Sequence, residues 1–297
     1  MELWTSINIV RALGVQMTAI IAENIRKDYG DVRAVDGVSF DVKRGECLAL
    51  LGPNGAGKTT TTEILEGFRH ADSGRVRVLD VDPRKGDLDW RARLGIVLQV
   101  DRDLGDLTVY EAVEHFSHYF PHPRDPREVI AAVGLTEKAK ARNSRLSGGQ
   151  RRRLDVALGI IGRPEVLFLD EPTTGFDPEA RREFWLLIEQ LKAEGTTILL
   201  TTHYLDEAEH LADRVAVISR GRIVACDSPS QIGNRSNAVA VVTWAENGVE
   251  RRATTDEPTS FVQTLADAFG GEVPQLQVHR PTLEDTYLAL LEGHGGS

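Results

Sequence analysis

The chain has 297 residues, 41% of them hydrophobic and 27% charged, a composition typical of globular domains that bury a core without covalent cross-links. Its formal net charge of -10 argues against nucleic acid as the main partner, because binding to phosphate backbones relies on clustered Lys and Arg. The two cysteines match no disulfide framework or metal-ligand spacing, and no apolar stretch approaches the roughly 18 residues that cross a bilayer, so another chain must supply any membrane span.

The amino-terminal part of the chain alternates short strands with polar turns. Residues 1–16 lack the basic start, long apolar block and cleavage site of a signal peptide, so we expect an unstructured extension, with Met17 as a possible natural start. Strands are predicted at 20–24, 38–42 and 47–51, and a glycine-rich turn and a helix over 58–67 follow. An apolar strand therefore leads directly into a glycine-rich turn and a helix.

The middle of the chain predicts a helical region and then alternating strands and helices. Residues 90–164 are predicted to be mainly helical apart from a strand at 95–98, and Thr108 with Glu111 three residues later matches a capping box. Strands and helices then alternate at 166–169, 179–192, 197–201, 205–211 and 215–219. Alternation at these lengths predicts a mostly parallel sheet covered by helices.

The character of the sequence changes after Asp227, which indicates a small second domain. Its predicted elements are strands at 238–244, 250–254 and 273–278 and helices at 258–269 and 283–291. Thr282 and Asp285 form a weaker version of the capping box before the last helix. The predicted divisions are an extension at 1–16, a main domain at 17–227 with a helical subdomain at about 90–164, and an accessory domain at 228–297.

The turn after the strand 47–51 carries a phosphate-binding motif. It matches G-x-x-x-x-G-K-[ST] and comprises Gly52, Pro53, Asn54, Gly55, Ala56, Gly57, Lys58 and Thr59, with Thr60 following. Glycines let successive backbone N–H groups point at phosphate oxygens, and the following helix adds the positive end of its dipole. Lys58 is predicted to reach the β- and γ-phosphates of ATP, and the Thr59 hydroxyl to ligate Mg²⁺.

Two carboxylates end the predicted strand 166–169. Asp170 and Glu171 follow four apolar residues, which places them at the carboxyl end of a strand, where ligands bind in open α/β sheets. Asp170 is predicted to hold Mg²⁺ through water, and Glu171 to polarise the attacking water as general base. The alternative is an acidic strand-to-loop turn, and the phosphate loop in the same chain favours the catalytic interpretation.

Between these two elements lies a pentapeptide that resembles the one found in ABC-type ATPases, Leu146-Ser147-Gly148-Gly149-Gln150. The resemblance covers about 17–227. It implies an α/β P-loop NTPase fold of the ABC type, a mixed sheet core plus a helical subdomain, here with a small α+β C-terminal domain. In that family the pentapeptide begins a helix and contacts ATP held by a second copy, a role implied for Ser147, Gly148, Gly149 and Gln150; serine and glycines at a helix start suit an anion. The basic run 151–153 is interpreted as a solvated face, with a direct phosphate contact as the alternative.

The resemblance extends to four more positions. Tyr29 matches the aromatic residue that stacks on adenine, and Gln99 matches the glutamine that touches Mg²⁺ and water. His203 matches the histidine that contacts the γ-phosphate, and Asp177 matches the loop that crosses the dimer interface, although Phe176 stands where leucine is usual. Ordinary alternatives are a surface tyrosine, a strand-end glutamine and a structural histidine.

The resemblance also implies partners. Two copies of the chain would sandwich two ATP molecules, and a separate transmembrane permease subunit, contacted near Gln99 and 100–107, would hold them at the cytoplasmic face of the cell membrane. A non-transport ABC ATPase that acts on ribosomes or nucleic acid is the alternative. The single cassette and the short interval between Lys58 and Ser147, without heptads or a cysteine cluster, favour the transporter.

Two segments resemble a particular branch of these transporters. Residues 280–285 read R-P-T-L-E-D and residues 202–209 read T-H-Y-L-D-E-A-E, as in drug-resistance and antibiotic exporters. The resemblance implies export of drugs, antibiotics or lipid-like molecules. A P-loop kinase or GTPase, the third class considered, would not explain the pentapeptide.

Overall fold

The computed structural model describes residues 17–98, 104, 106–237 and 239–293. The predictions made for residues 1–16, for Gln99 and for most of the loop 100–107 lie outside the described residues. The chain divides into two compact units, the first ending at Cys226 and the second beginning at Asp227.

The strands of the first unit form two sheets. They are β1 Thr18–Tyr29, β2 Val32–Lys43, β3 Cys47–Leu51, β4 Ser73–Val78, β5 Leu94–Val97, β6 Val166–Asp170, β7 Thr197–Thr202, β8 Arg214–Ser219 and β9 Arg222–Asp227. The larger sheet has the order β5-β6-β7-β3-β8-β9, with parallel pairing from β5 to β8. All five residues of β3 are buried, as expected for a parallel strand covered on both faces. The predicted parallel sheet is confirmed.

The smaller sheet is antiparallel, with the order β2-β1-β4, and it departs from the sequence prediction. The strand predicted at 20–24 continues to Tyr29, although its second half is mostly polar. The strand extends because β1 pairs with β2 as far as Tyr29 and Val32. This pairing gives the backbone N–H and C=O groups of the polar half their hydrogen-bond partners. The strand β4 was not predicted, since it is mostly exposed and owes its extended backbone to pairing with β1.

The helices of the first unit are α1 Lys58–Glu66, α2 Leu88–Ala92, α3 Val109–Ser117, α4 Pro126–Ala132, α5 Gly148–Ile160, α6 Pro178–Ala193 and α7 Leu205–Leu211. The capping box predicted before α3 is confirmed: Thr108 N donates to Glu111 Oε2 at 2.8 Å, and Glu111 N donates to Thr108 Oγ1 at 3.3 Å. The helices α3 to α6 bury one apolar cluster, which includes Val113, Val129, Leu154 and Ile188. This cluster holds α5 and α6 against the sheet.

The second unit contains strands β10 Ala240–Glu246, β11 Val249–Thr255 and β12 Gln277–His279 and helices α8 Pro258–Phe269 and α9 Leu283–Gly293. The strands pair antiparallel in the order β11-β10-β12, and Trp244 of β10 lies against Phe261 of α8, with ring centroids 5.9 Å apart. The prediction of a strand at 273–278 is wrong over most of that range, because the observed strand β12 begins only at Gln277. Pro274 has no N–H to donate, and Gln275 adopts a φ of 51°, so a turn replaces the ladder there.

The last helix, α9, begins at the predicted capping box, and its cap should make the helix sensitive to acid. Thr282 N donates to Asp285 Oδ2 at 2.8 Å, Asp285 N donates to Thr282 Oγ1 at 3.1 Å, and His279 Nε2 lies 3.2 Å from the same carboxylate. The hydrogen bonds that the Asp285 carboxylate accepts from Thr282 N and Thr282 Oγ1, with the contact to His279, lower the pKa of Asp285 from 3.8 to about 2. A carboxylate with a depressed folded-state pKa stabilises above its unfolded pKa and loses that contribution as the pH falls.

We therefore expect Asp285→Asn to weaken the protection of the backbone N–H groups of α9 at pH 7. The neutral asparagine side chain accepts the hydrogen bonds from Thr282 less strongly than the carboxylate does. The difference from wild type should shrink as the pH falls from about 4 to about 2, where Asp285 itself becomes protonated. Hydrogen exchange of the full chain, compared between variant and wild type at each pH, measures this. Glu284→Gln, at the exposed neighbouring position, is the control. Equal protection of α9 in Asp285→Asn and wild type at pH 7 would contradict the prediction.

Candidate functional site

Three neighbouring strands deliver the predicted site residues to one edge of the large sheet. Asp170 at the end of β6 pairs with Thr201 of β7, and Thr201 pairs with Leu50 of β3, so these residues form one rung. The chain leaves this edge in three directions: into the glycine-rich loop after β3, through Glu171 after β6, and through His203 after β7. Residues far apart in the sequence therefore meet beside the loop, as expected for the carboxyl edge of a parallel sheet.

The glycine-rich loop 52–60 has a backbone path that side chains at two of its glycines, Gly52 and Gly57, would block. Gly57 has a φ of 104°, and a Cβ there would lie 2.4 Å from the carbonyl oxygen of Ala34. A Cβ on Gly52 would lie 2.4 Å from the carbonyl oxygen of Ile218. Gly57 offers no side-chain cap to α1, and the first turn of α1 carries no acidic residue. The first N–H groups of α1, at Lys58, Thr59 and Thr60, therefore face a site suited to an anion.

Lys58 lies between the loop and the two carboxylates. Its Nζ donates to the carbonyl oxygens of Gly52 at 2.7 Å and Pro53 at 3.2 Å. Burial lowers the pKa of Lys58, while the negative charges of Glu171 and Asp170 act in the opposite direction. The ammonium group is thus held close to the loop and to both acids, where it can bind a phosphate oxygen.

The carboxylates are held by β7. Asp170 Oδ1 accepts a hydrogen bond from Thr201 Oγ1, and Glu171 N donates to the carbonyl oxygen of Thr201 at 2.9 Å. Glu171 has a φ of 45°, a left-handed backbone conformation that is uncommon for a residue with a side chain. Its Oε1 lies 3.2 Å from His203 Nδ1. Thr201 was not singled out in the sequence; its position at the end of a predicted strand, like that of Asp170, was the available signal.

His203 is about half exposed, and its immediate neighbour Tyr204 lies against it, with ring centroids 4.1 Å apart. The guanidinium of Arg181 lies 4.6 Å from the Tyr204 ring centroid and 3.3 Å from Asp206. Arg181 belongs to α6, whereas Asp206 belongs to α7. These contacts join the loop that carries His203 to α6.

The pentapeptide forms the start of α5 in a separate cavity. Ser147 Oγ accepts a hydrogen bond from Gln150 N at 3.3 Å, and Gln150 Oε1 accepts one from Ser147 N at 3.1 Å, which is a complete capping box. The cavity has a volume of about 420 Å³, and its lining includes Gly148, Gly149 and Asp177. Among the described residues that line it, none belongs to the loop 52–60. One chain therefore carries two anion-type sites that do not share residues.

Two of the predicted contact residues have partners within the chain. Asp177 caps α6, since its Oδ1 accepts a hydrogen bond from Ala180 N at 2.8 Å. Tyr29 is 40% exposed at the end of β1, and its ring centroid lies 5.6 Å from Lys27 Nζ and 5.5 Å from Arg69 Cζ. The Tyr29 ring is thus accessible, with cationic groups beside it.

The basic run 151–153 is not the solvated face that its composition indicated. Arg152 is only 7% exposed, and its guanidinium donates to three backbone carbonyls near the carboxylates. Arg153 forms an ion pair with Glu183 at 3.0 Å and lies over the ring of Phe176. The helical repeat turns consecutive arginines toward different neighbours, and burial of α5 against the sheet decides which of them is inside.

The described residues fit a nucleoside triphosphate with Mg²⁺. The helix that follows the loop 52–60 starts without a side-chain cap, Gly52 and Gly57 leave no room for a Cβ, Lys58 offers a cation, and Thr59 and Asp170 are hard oxygen donors of the kind that Mg²⁺ prefers. Gln99, the third predicted ligand, lies outside the described residues. Glu171 Oε1 and His203 Nδ1 lie 3.2 Å apart at the same edge, and a carboxylate and an imidazole are both groups that can serve as a general base.

Comparison with known proteins gives the family. A family model described as ABC transporter matches residues 35–174. The Nod factor export ATP-binding protein I of Burkholderia orbicola (strain AU 1054) is 38% identical over 290 residues, covering 90% of this chain and 95% of the relative. The chain belongs to the ABC transporter family. The daunorubicin resistance ATP-binding protein DrrA2 of Streptomyces coeruleorubidus is a second relative of this ABC transporter chain. It is 37% identical over 310 residues, and the match covers 93% of this chain and 95% of the relative.

Solved structures of ABC transporter chains share the fold. The structure of cbiO1 from Clostridium perfringens, described as part of the ABC transporter complex cbiONQ, is 30% identical, with a TM-score of 0.65, and the match covers 73% of this chain and 90% of that one. The resemblance and the P-loop fold of the ABC type predicted from the sequence are both confirmed. Within the described parts of this ABC transporter chain, no helix combines the length and apolarity that a bilayer crossing requires.

Proposed function

We propose that this chain is the ATP-binding and ATP-hydrolysing subunit of an exporter and drives a separate transmembrane permease subunit. The observation that carries the proposal is the shared edge of β3, β6 and β7, where the anion-binding loop, Lys58, Asp170, Glu171 and His203 meet. A purely structural turn would not need a buried lysine beside two acids.

The loop residues bind the phosphates. The amides of 52–60 and the dipole of α1 hold the β-phosphate, and Lys58 turns from the carbonyl oxygens of Gly52 and Pro53 to the β- and γ-phosphates. Tyr29 stacks on the adenine ring. Thr59 and Asp170 hold Mg²⁺, which when bound neutralises charge on the phosphates and polarises the γ-phosphoryl group.

Glu171 and His203 act on the attacking water. Glu171 Oε accepts a proton from the water, and the hydrogen bond from Glu171 N to the carbonyl oxygen of Thr201 fixes the backbone that carries this carboxylate. His203, within 3.2 Å of Glu171, contacts the γ-phosphate and keeps the carboxylate oriented. Because both groups contact the reacting atoms, hydrolysis depends on both.

The second cavity indicates that two copies of the chain cooperate. The start of α5 offers Ser147, Gly148, Gly149 and Gln150 away from the loop 52–60 of the same chain. A second copy in head-to-tail orientation would place these residues on the γ-phosphate of the first, and Asp177 would lie at the contact. Closure of the dimer on ATP, and its reopening after hydrolysis, then drives the permease, because the γ-phosphate binds the closed state more strongly.

The relatives support a transporter of the exporting kind. One is named for Nod factor export and another for daunorubicin resistance, and each is matched over at least 90% of this chain. We infer that this chain serves the export of drug-like, antibiotic or lipid-like molecules, at the cytoplasmic face of the membrane through its permease. These names favour transport over the alternative of a ribosome- or nucleic-acid-directed ATPase.

The test uses the chain with the membrane protein encoded beside its gene. We expect that neighbour to have about six apolar spans of roughly 20 residues each, to co-purify with the chain in detergent, and to raise its ATPase rate. A soluble neighbour, or a chain that neither consumes Mg·ATP nor dimerises with the membrane protein present, would contradict the proposal.

A further inference from the structure

Arg152 of α5 binds the segment that carries the two carboxylates. Its Nη1 and Nη2 groups donate to the backbone carbonyls of Leu98 and Asp170, and its Nε donates to the carbonyl of Pro172 at 3.2 Å. Leu98 directly follows β5, whereas Asp170 and Pro172 stand on either side of Glu171. One guanidinium therefore joins α5 to the ends of two neighbouring strands and holds the chain on both sides of Glu171.

This arrangement requires an arginine. A guanidinium presents five N–H donors in a rigid planar fork, whereas a lysine ammonium is a compact group on a flexible stem that cannot reach the same three carbonyls. Arg152 is 7% exposed, and a buried cation is tolerated only where good hydrogen bonds offset the loss of water. The three hydrogen bonds offset the cost of burying this charge, and they bring the ends of two strands to one guanidinium.

The geometry they hold is that of Glu171. Its φ of 45° lies in the left-handed region, which a residue with a side chain keeps only where its surroundings determine it. On the β7 side, the carbonyl oxygen of Thr201 accepts a hydrogen bond of 2.9 Å from the N–H of Glu171. On the α5 side, Arg152 binds the carbonyls of Asp170 and Pro172, the residues before and after Glu171. The strained residue is thus fixed by two separate elements.

We propose that Arg152 is a positioning residue for ATP hydrolysis: it holds Glu171 and Asp170 in place and ties them to the helix that begins with the pentapeptide. The inference rests on the proposed function. Since residues 147–150 contact the nucleotide of the second copy under that proposal, Arg152 also connects the two nucleotide sites that one chain serves. Arg152 acts through the backbone carbonyls of Asp170 and Pro172 that its guanidinium binds.

The test compares Arg152→Lys with Arg127→Lys, which makes the same change at an exposed position of α4. We expect Arg152→Lys to lower kcat by about 10- to 100-fold, the effect of misplacing a catalytic group by a fraction of an ångström to one ångström. The affinity for a trinitrophenyl derivative of ATP in EDTA should stay at the wild-type value, because the loop 52–60 supplies it, whereas the three carbonyls that Arg152 binds belong to Leu98, Asp170 and Pro172. In Arg152→Lys, adding Mg²⁺ should raise this affinity less than it does in wild type, since Mg²⁺ binding depends on the position of Asp170.

Each result decides the role of Arg152. A positioning role is supported if Arg152→Lys loses kcat but keeps the wild-type affinity in EDTA and has the same Tm as Arg127→Lys. Wild-type turnover in Arg152→Lys overturns it, and so does a parallel loss of Tm, EDTA affinity and kcat, which would mean general support of the fold. Arg152→Gln is the second variant; if neither variant folds, the role is structural and the proposal is overturned.

The outcome for Arg152 is separable from the outcome for the proposed function. A wild-type protein without ATPase activity would contradict the proposed function. The nucleotide-binding comparison in EDTA and in Mg²⁺ would still decide whether Arg152 positions Asp170, because it needs no turnover.

Discussion

Glu171→Gln should lower the rate of ATP hydrolysis by about 100- to 10,000-fold, the usual loss when a general base is removed. The amide has nearly the size of the carboxylate but does not accept the proton from water. The backbone hydrogen bond from residue 171 to the Thr201 carbonyl, 2.9 Å long, is unaffected by the change, so the loop keeps its shape. Phosphate release at saturating Mg·ATP measures the effect.

The same variant should accumulate as an ATP-bound dimer, because binding and closure precede the step that it blocks. Light scattering after size-exclusion chromatography with Mg·ATP, and with Mg·ADP for comparison, measures the dimer. Glu179→Gln, the same change at an exposed position in the first turn of α6, should hydrolyse ATP like wild type and form no trapped dimer. Full turnover in Glu171→Gln would remove Glu171 as the base.

Lys58→Ala should weaken binding of ATP by roughly 10- to 1,000-fold. The lysine is placed to make charge-assisted hydrogen bonds to phosphate, and such bonds contribute about 1.5–3 kcal/mol each. Equilibrium binding of the trinitrophenyl derivative of ATP, displaced by ATP, gives the two dissociation constants. We expect ATP hydrolysis to fall at least in proportion, because the ammonium also faces the charge that develops on the γ-phosphoryl group.

The fold should survive this substitution. We expect only a modest change in Tm, because the loss of the hydrogen bonds from Lys58 Nζ to Gly52 and Pro53 is partly offset by removal of a buried cation. Lys85→Ala, at an exposed position, is the matched control and should bind ATP like wild type. Undiminished affinity in Lys58→Ala would count against the assignment of the loop 52–60 to phosphate.

The residues beside the loop show where prediction from the sequence ends. Asp170 and Glu171 were predicted from the apolar run before them, but the groups that hold them were not. Thr201 lies 31 residues from Asp170 in the chain and becomes its hydrogen-bond partner only because β6 and β7 are adjacent and in register. Nothing local to either strand specifies that neighbour.

Arg152 shows the same limit for burial. Within the run 151–153 the composition indicated a solvated face, and the structure places one of the three arginines inside. Helical periodicity separates consecutive side chains by about 100°, but it does not say which direction faces the sheet. The packing of α5 against β5 and β6 decides this, because it puts free carbonyls at the strand ends within reach of Arg152.

The sequence by itself determined the phosphate loop, the family and the alternation of strands and helices over 166–219. Each depends on residues that are covalent neighbours: a strand, a glycine turn and a helix start form the loop, and five consecutive residues identify the pentapeptide. Only the tertiary structure decided the strand order β6-β7-β3, the contacts of Glu171 with Thr201 and His203, and the three carbonyls that bind Arg152. Those features depend on pairing between segments distant in the chain, and their free energy appears only when the sheet is assembled.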